Sequence, residues 1–127
     1  MRILIADDNQ LVRQGISELL AQEVGIQVCG EASNSTDAIE KAAKLRPEMV
    51  LLDVSMPGEN GLETAEVLKQ KFPEIKILMI SGHDPKQMLP RSLEVGASGC
   101  LDKGRLASDL LPAIRRFLNP PFGQTPR

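Results

Sequence analysis

Five times along this chain a short, almost unbroken apolar run gives way to a stretch whose apolar residues recur at helical spacing. The runs lie at 3–6, 26–31, 49–52, 75–80 and 99–101. A strand wetted on one face must alternate polar and apolar residues. Runs such as Ile3-Leu4-Ile5-Ala6 and Met49-Val50-Leu51-Leu52 do not alternate, so both their faces are covered. That is the signature of a parallel sheet between helical layers. Parallel neighbours need a crossover, and the intervening stretches supply it. The first carries Leu11, Val12, Ile16, Leu19 and Leu20 on one stripe; the others are predicted near 35–45, 62–72, 85–95 and 106–118. With right-handed crossovers the expectation is an α/β, doubly wound, five-stranded parallel sheet.

At 127 residues there is room for one such domain and a tail. Residues 119–127 hold three prolines and no apolar period, and read as a tail or linker after a domain at 1–118. The net charge of −2 and an aromatic content limited to three Phe argue against direct nucleic-acid binding by this domain. No apolar run exceeds four residues, so no membrane span is expected. The start, Met1 to Ala6 followed by Asp7-Asp8, is too short for a secretion signal, and the expected location is the cytoplasm. Cys29 and Cys100 are too few for a disulfide framework or a zinc site and read as small buried thiols.

In a doubly wound fold the working site lies beyond the carboxyl ends of the strands. Asp7 and Asp8 follow the first strand and Asp53 ends the third. Ser81 ends the fourth, and Lys103 follows the fifth within two residues. One Asp after a strand is usually a turn residue or helix cap. Three carboxylates, a hydroxyl and an amine on one rim are improbable as caps alone. Gathered carboxylates repel unless a cation is present, and an all-oxygen acidic site suits Mg²⁺.

The segments that carry these residues are Ile3-Leu4-Ile5-Ala6-Asp7-Asp8-Asn9, Val50-Leu51-Leu52-Asp53-Val54-Ser55-Met56-Pro57-Gly58, Ile80-Ser81-Gly82 and Gly96-Ala97-Ser98-Gly99-Cys100-Leu101-Asp102-Lys103. Together they resemble the receiver domain of two-component response regulators. Val28-Cys29-Gly30-Glu31-Ala32-Ser33-Asn34 and Met56-Pro57-Gly58-Glu59-Asn60-Gly61 are most similar to the NarL/FixJ-type members. The resemblance implies a flavodoxin-like (βα)5 fold with strand order 2-1-3-4-5. It implies that Asp53 accepts a phosphoryl group from the phosphohistidine of a sensor histidine kinase. Asp8, Asp53 and the main-chain carbonyl of Ser55 would hold Mg²⁺, with Asp7 acting through a water. Lys103 would neutralise phosphoryl charge, Ser81 would bond a phosphoryl oxygen, and Gly82 would leave room for it. The output would be a switched face made by the fourth helix, fifth strand and fifth helix. It would act on transcription through a DNA-binding domain in a longer chain, or as a stand-alone protein that binds partners, with a phosphorylation-dependent homodimer open in either case.

The sequence departs from that family in several places. Cys100 stands where many members carry an aromatic residue, and His83 occupies a position that influences phosphate lifetime; both are candidate tuning residues. Pro90 predicts a short, kinked or late-starting fourth helix, and Pro112 predicts a fifth helix that begins near Ser108 or Asp109. These prolines fit either a modified output face or local drift. Glu59 is expected to be exposed. An Asp-nucleophile phosphohydrolase of the haloacid dehalogenase kind needs a second acid two residues after its nucleophile, where Ser55 stands. A flavodoxin-like cofactor binder needs a phosphate-cradling loop where Asp7-Asp8 would repel phosphate. A degenerate receiver would lack part of the Asp7, Asp8, Asp53, Ser81 and Lys103 set. The expected assignment is a signalling phosphoacceptor, not an enzyme that turns over external substrates.

Overall fold

The computed structural model describes residues 1–82 and 84–118. The expected tail at 119–127 and His83 lie outside the described residues. Strands β1 (Arg2–Ala6), β2 (Gln27–Ala32), β3 (Met49–Asp53), β4 (Lys76–Ser81) and β5 (Gly99–Asp102) form one sheet, in the order β2-β1-β3-β4-β5. Every pairing is parallel, as the unbroken apolar runs require. Helices α1 (Gln10–Leu20), α2 (Ser35–Leu45), α3 (Gly61–Lys71), α4 (Pro85–Glu94) and α5 (Leu106–Leu118) make the crossovers.

The pleat sorts the strand residues between two cores. Leu4, Ala6, Val50, Leu52, Ile77 and Met79 face one side, where Ala38 and Ala42 of α2 and Leu62, Ala65 and Leu68 of α3 cover them. Ile3, Ile5, Met49, Leu51, Leu78 and Ile80 face the other, against Ile16 and Leu20 of α1 and Leu106, Leu110 and Ile114 of α5. The β1–β2 register slips by one residue at Cys29, because Ile3 pairs with Val28 while Leu4 pairs with Gly30. Cys29 and Cys100 are each half-buried, not fully enclosed as expected.

Side-chain amides and carboxylates start the helices. Asn9, Asn34, Asn60 and Asp84 cap α1 to α4, and Asp102 caps a 3-10 turn at Lys103–Arg105. That turn runs directly into α5 at Leu106, the start expected from the apolar spacing and not the later one expected from Pro112. Burying Leu106 against the sheet is worth about 1.5–3 kcal/mol, and Leu110 and Ile114 extend the same stripe. Pro112 lies inside α5 on its exposed side, as does Ser108 one turn before it, where loss of a backbone bond costs least. Pro90 is likewise exposed within α4, which starts at Pro85 and is not late-starting. At ten residues it is the shortest of the five helices. Between β3 and α3 lies a small hairpin, in which Ser55–Met56 pairs antiparallel with Glu59–Asn60.

Candidate functional site

The carboxyl ends of β1, β3, β4 and β5 meet at one rim. Register brings the distant segments together: Ala6 pairs with Leu52, Asp53 with Ile80, and Ser81 with Asp102. Asp7 and Asp53 are each 1% exposed and Ser81 is fully buried, while Asp8 is exposed at the mouth. Carboxylate oxygens of Asp7, Asp8 and Asp53 all lie within 4.8 Å of one another.

The two buried carboxylates divide their oxygens between scaffold and site. Asp7 Oδ1 accepts a bond from the Asn9 amide at 2.8 Å, and Asp53 Oδ1 accepts one from the Ser55 amide at 3.1 Å. These local turns fix each side chain and leave Oδ2 inward. Lys103 spans the two inward oxygens, with Nζ 3.0 Å from Asp7 Oδ2 and 3.1 Å from Asp53 Oδ2.

The charges are unequally matched. Burial first, and then the charge of Asp7, raise the Asp53 carboxyl above its ordinary value, against the pull of the Ser55 amide and Lys103. Burial pulls the Lys103 ammonium down, but its contacts with Asp7 and Asp53 outweigh that and leave it raised. One ammonium therefore serves a cluster of three carboxylates. The ligand atoms on offer are carboxylate oxygens, and the mouth is open at Asp8. This set fits a small hard divalent cation that keeps part of its water.

The other expected residues fall into place unevenly. Ser55 is exposed beside Asp53, and Gly82 is exposed, with nothing within 4 Å of where a Cβ would stand. Cys100 pairs with Met79 in the sheet, away from the strand tips. Burial raises its thiol, with a further push from Asp102 that a Ser92 contact opposes. Glu59 is half-buried and accepts a bond from the Ser35 amide at 2.7 Å, which corrects its expected exposure.

Two supporting residues were not foreseen from sequence. A Cβ at Gly61 would lie 2.3 Å from the Asp53 carbonyl oxygen and 2.6 Å from that of Val54, so only glycine lets α3 start against the Asp53 backbone. The Asn60-Gly61 pair at a helix start was the available signal. Arg13 donates through Nη1 to the Asp7 carbonyl at 2.6 Å and through Nε to Glu31 at 2.8 Å, clamping the loop after β1 onto β2. That clamp spans three elements, and no local pattern announces it.

Comparison with known proteins agrees with this geometry. The family model described as the response regulator receiver domain matches residues 3–115. The response regulator GacA of Pseudomonas viridiflava is 36% identical over 130 residues, covering 98% of this chain and 61% of GacA. The chain thus spans about three fifths of the length of that curated relative. Among solved structures, a LuxR-family two-component response regulator from Aurantimonas sp. SI85-9A1 superposes with a TM-score of 0.86 at 29% identity, over 92% of this chain and 84% of that one. RcsB from Salmonella enterica serovar Typhimurium, solved bound to the promoter rprA with the phosphomimetic BeF3-, gives 0.85 at 29% identity, over 94% of this chain and 61% of its own. A parallel sheet in the order β2-β1-β3-β4-β5, an acidic rim closed by Lys103 and a family match over nearly the whole described chain place this protein among the receiver domains of two-component response regulators.

Proposed function

We propose that residues 1–118 act as a phosphoacceptor unit in which Asp53 takes a phosphoryl group from the phosphohistidine of a sensor histidine kinase. The observation that carries this reading is the Lys103 ammonium held between two buried carboxylates, with a third at the mouth. Asp8, Asp53 and the Ser55 carbonyl would hold Mg²⁺, with Asp7 acting through a water; when bound, the ion neutralises charge on the transferring group. Asp53 attacks phosphorus through a carboxylate oxygen, a P–O bond forms, and the P–N bond to the donor imidazole breaks. Lys103 already sits on Asp53 Oδ2 and follows the charge onto the phosphoryl oxygens. Ser81 donates to one of those oxygens, and the open space at Gly82 admits them.

The new dianionic group alters charge at the rim, and the face made by α4, β5 and α5 responds. Half-buried Cys100 replaces an aromatic reporter on that face, and His83 tunes the lifetime of the phosphate. Residues 119–127 link this unit to a DNA-binding output domain in a longer chain, in line with the promoter-bound RcsB structure and with relatives longer than this chain. Phosphorylation-dependent homodimers form on that route. The protein works in the cytoplasm and turns over no substrate besides its own phosphate; among the described residues no helix is long and apolar enough to cross a membrane.

Incubation with a small phosphodonor and Mg²⁺, read by intact mass, tests the site. One phosphoryl adduct is expected, lost with Asp53→Asn and with chelator. An adduct that survives Asp53→Asn rejects the assignment.

A further inference from the structure

The loop after β3 carries the Ser55 carbonyl assigned to the metal, and the same loop is tied to an element outside the site. Glu59 Oε1 accepts the Ser35 amide at 2.7 Å. Ser35 is the first residue of α2, so this amide is one of the donors that a helix N-terminus leaves without an intrahelical partner. The cap Asn34 does not serve it, because Asn34 Oδ1 is used by the Asp37 amide. A carboxylate at a helix start also gains from the helix dipole.

The strain path from Glu59 to the site is short. Glu59 pairs with Met56 and Asn60 with Ser55 in the two-residue hairpin. The Ser55 amide in turn holds Asp53 Oδ1. A second tie runs parallel to the first: Ser35 Oγ and Thr64 Oγ1 are 2.6 Å apart, and Thr64 Oγ1 also reaches the Asn60 carbonyl at 3.2 Å. The hairpin is thus fastened at one end by Asp53 and at the other by the start of α2.

We propose that Glu59 is a positioning residue for the metal site: by latching the hairpin onto the N-terminus of α2, it holds the Ser55 carbonyl and the Asp53 carboxylate in the arrangement that takes the divalent ion. This rests on the function proposed above. Without the latch the hairpin samples other positions, and binding the ion must re-order it. The cost falls on metal affinity, while the reaction at saturating metal proceeds through the same contacts. The neutral amide of Gln can still accept the Ser35 N–H, so it restores most of what Ala removes.

The test compares Glu59→Ala, Glu59→Gln and Asn34→Ala in the full chain. Mg²⁺ affinity is measured by titration calorimetry, and adduct formation from a small phosphodonor is followed against Mg²⁺ concentration. Thermal melting is followed by far-UV circular dichroism. Loss of a charge-assisted hydrogen bond that steadies the loop predicts about 3- to 10-fold weaker Mg²⁺ binding for Glu59→Ala. The half-saturating Mg²⁺ concentration should rise by the same factor at an unchanged limiting rate, and Glu59→Gln should lie within about twofold of the parent. Asn34→Ala loosens the same helix start without touching Glu59, and should lower the melting temperature at unchanged Mg²⁺ affinity. If Glu59→Ala binds Mg²⁺ like the parent, or if Asn34→Ala weakens binding equally, the latch is only a stabiliser of α2 and the proposal is overturned. A parent protein that binds no Mg²⁺ and takes no phosphoryl group overturns the function itself, and the latch with it.

Discussion

Replacing Lys103 by Met keeps much of the side-chain length and removes the ammonium that touches both buried carboxylates. Nζ lies 3.0 Å from Asp7 and 3.1 Å from Asp53. At an effective dielectric of about 20, each contact is worth about 5 kcal/mol gross. Desolvating the ammonium returns several kcal/mol of that, and stripping one partner from a buried pair costs about 3–5 kcal/mol in practice. The Lys103 side chain keeps 28% of its exposure, so solvent screens part of the attraction. The expected loss therefore sits at the low end, about 3 kcal/mol at pH 7 in chelator. The chain has neither Trp nor Tyr, so urea unfolding is best followed by far-UV circular dichroism. Two further arms test the cause. Mg²⁺ should recover part of the loss, since a cation again stands among the carboxylates. Adding Asp53→Asn to Lys103→Met should recover part of it without metal, by removing one of two facing charges. The raised Lys103 group has a folded value above its ordinary 10.5. Its contribution is thus complete below 10.5 and fades as pH climbs through the folded value, so the difference between parent and variant should fade on that alkaline limb. A loss below about 1 kcal/mol, or a double variant no more stable than Lys103→Met, would refute the charge argument.

Other outcomes follow from the same geometry. Asp53 is raised above its ordinary 3.8, so the stability it confers is present below pH 3.8 and lost as pH rises through its folded value. Asp53→Asn should therefore be more stable than the parent at pH 7 in chelator, with a flatter acid profile; a lower melting temperature at pH 7 would contradict this. Gly61→Ala drives a methyl to within 2.3 Å of the Asp53 carbonyl oxygen. It should cost about 1–3 kcal/mol in urea unfolding and slow adduct formation; an unperturbed variant would show that α3 can shift freely. Pro112→Ala restores an amide to the exposed side of α5 and should stabilise by about 1–3 kcal/mol. A destabilised variant would mean that the proline is needed to shape the helix.

What was readable in the sequence came from periodicity and from chain reversal at strand ends. Five apolar runs that fail to alternate imply a sheet covered on both faces, and the observed β1 and β3 lie within it at almost the expected bounds. The strand tips then named Asp7, Asp8, Asp53, Ser81 and Lys103, because each tip is set by its own local pattern. Asp7 and Asp53 also turned out to serve local turns, as the plainer interpretation held, but with one oxygen each. The second oxygen is what makes the site.

The sequence by itself determined the layers of this protein and the identity of its rim residues, since both depend on short-range period and on residue type. Only the tertiary structure decided between the two starts open to α5, and it alone set the half-burial of the cysteines, the Arg13 clamp, the close approach at Gly61 and the hold of Glu59 on Ser35. These depend on which surfaces meet across tens of residues. The buried stripe Leu106, Leu110 and Ile114 outweighed the local signal of Pro112 because side-chain burial against a preformed sheet exceeds the cost of one missing backbone bond in water.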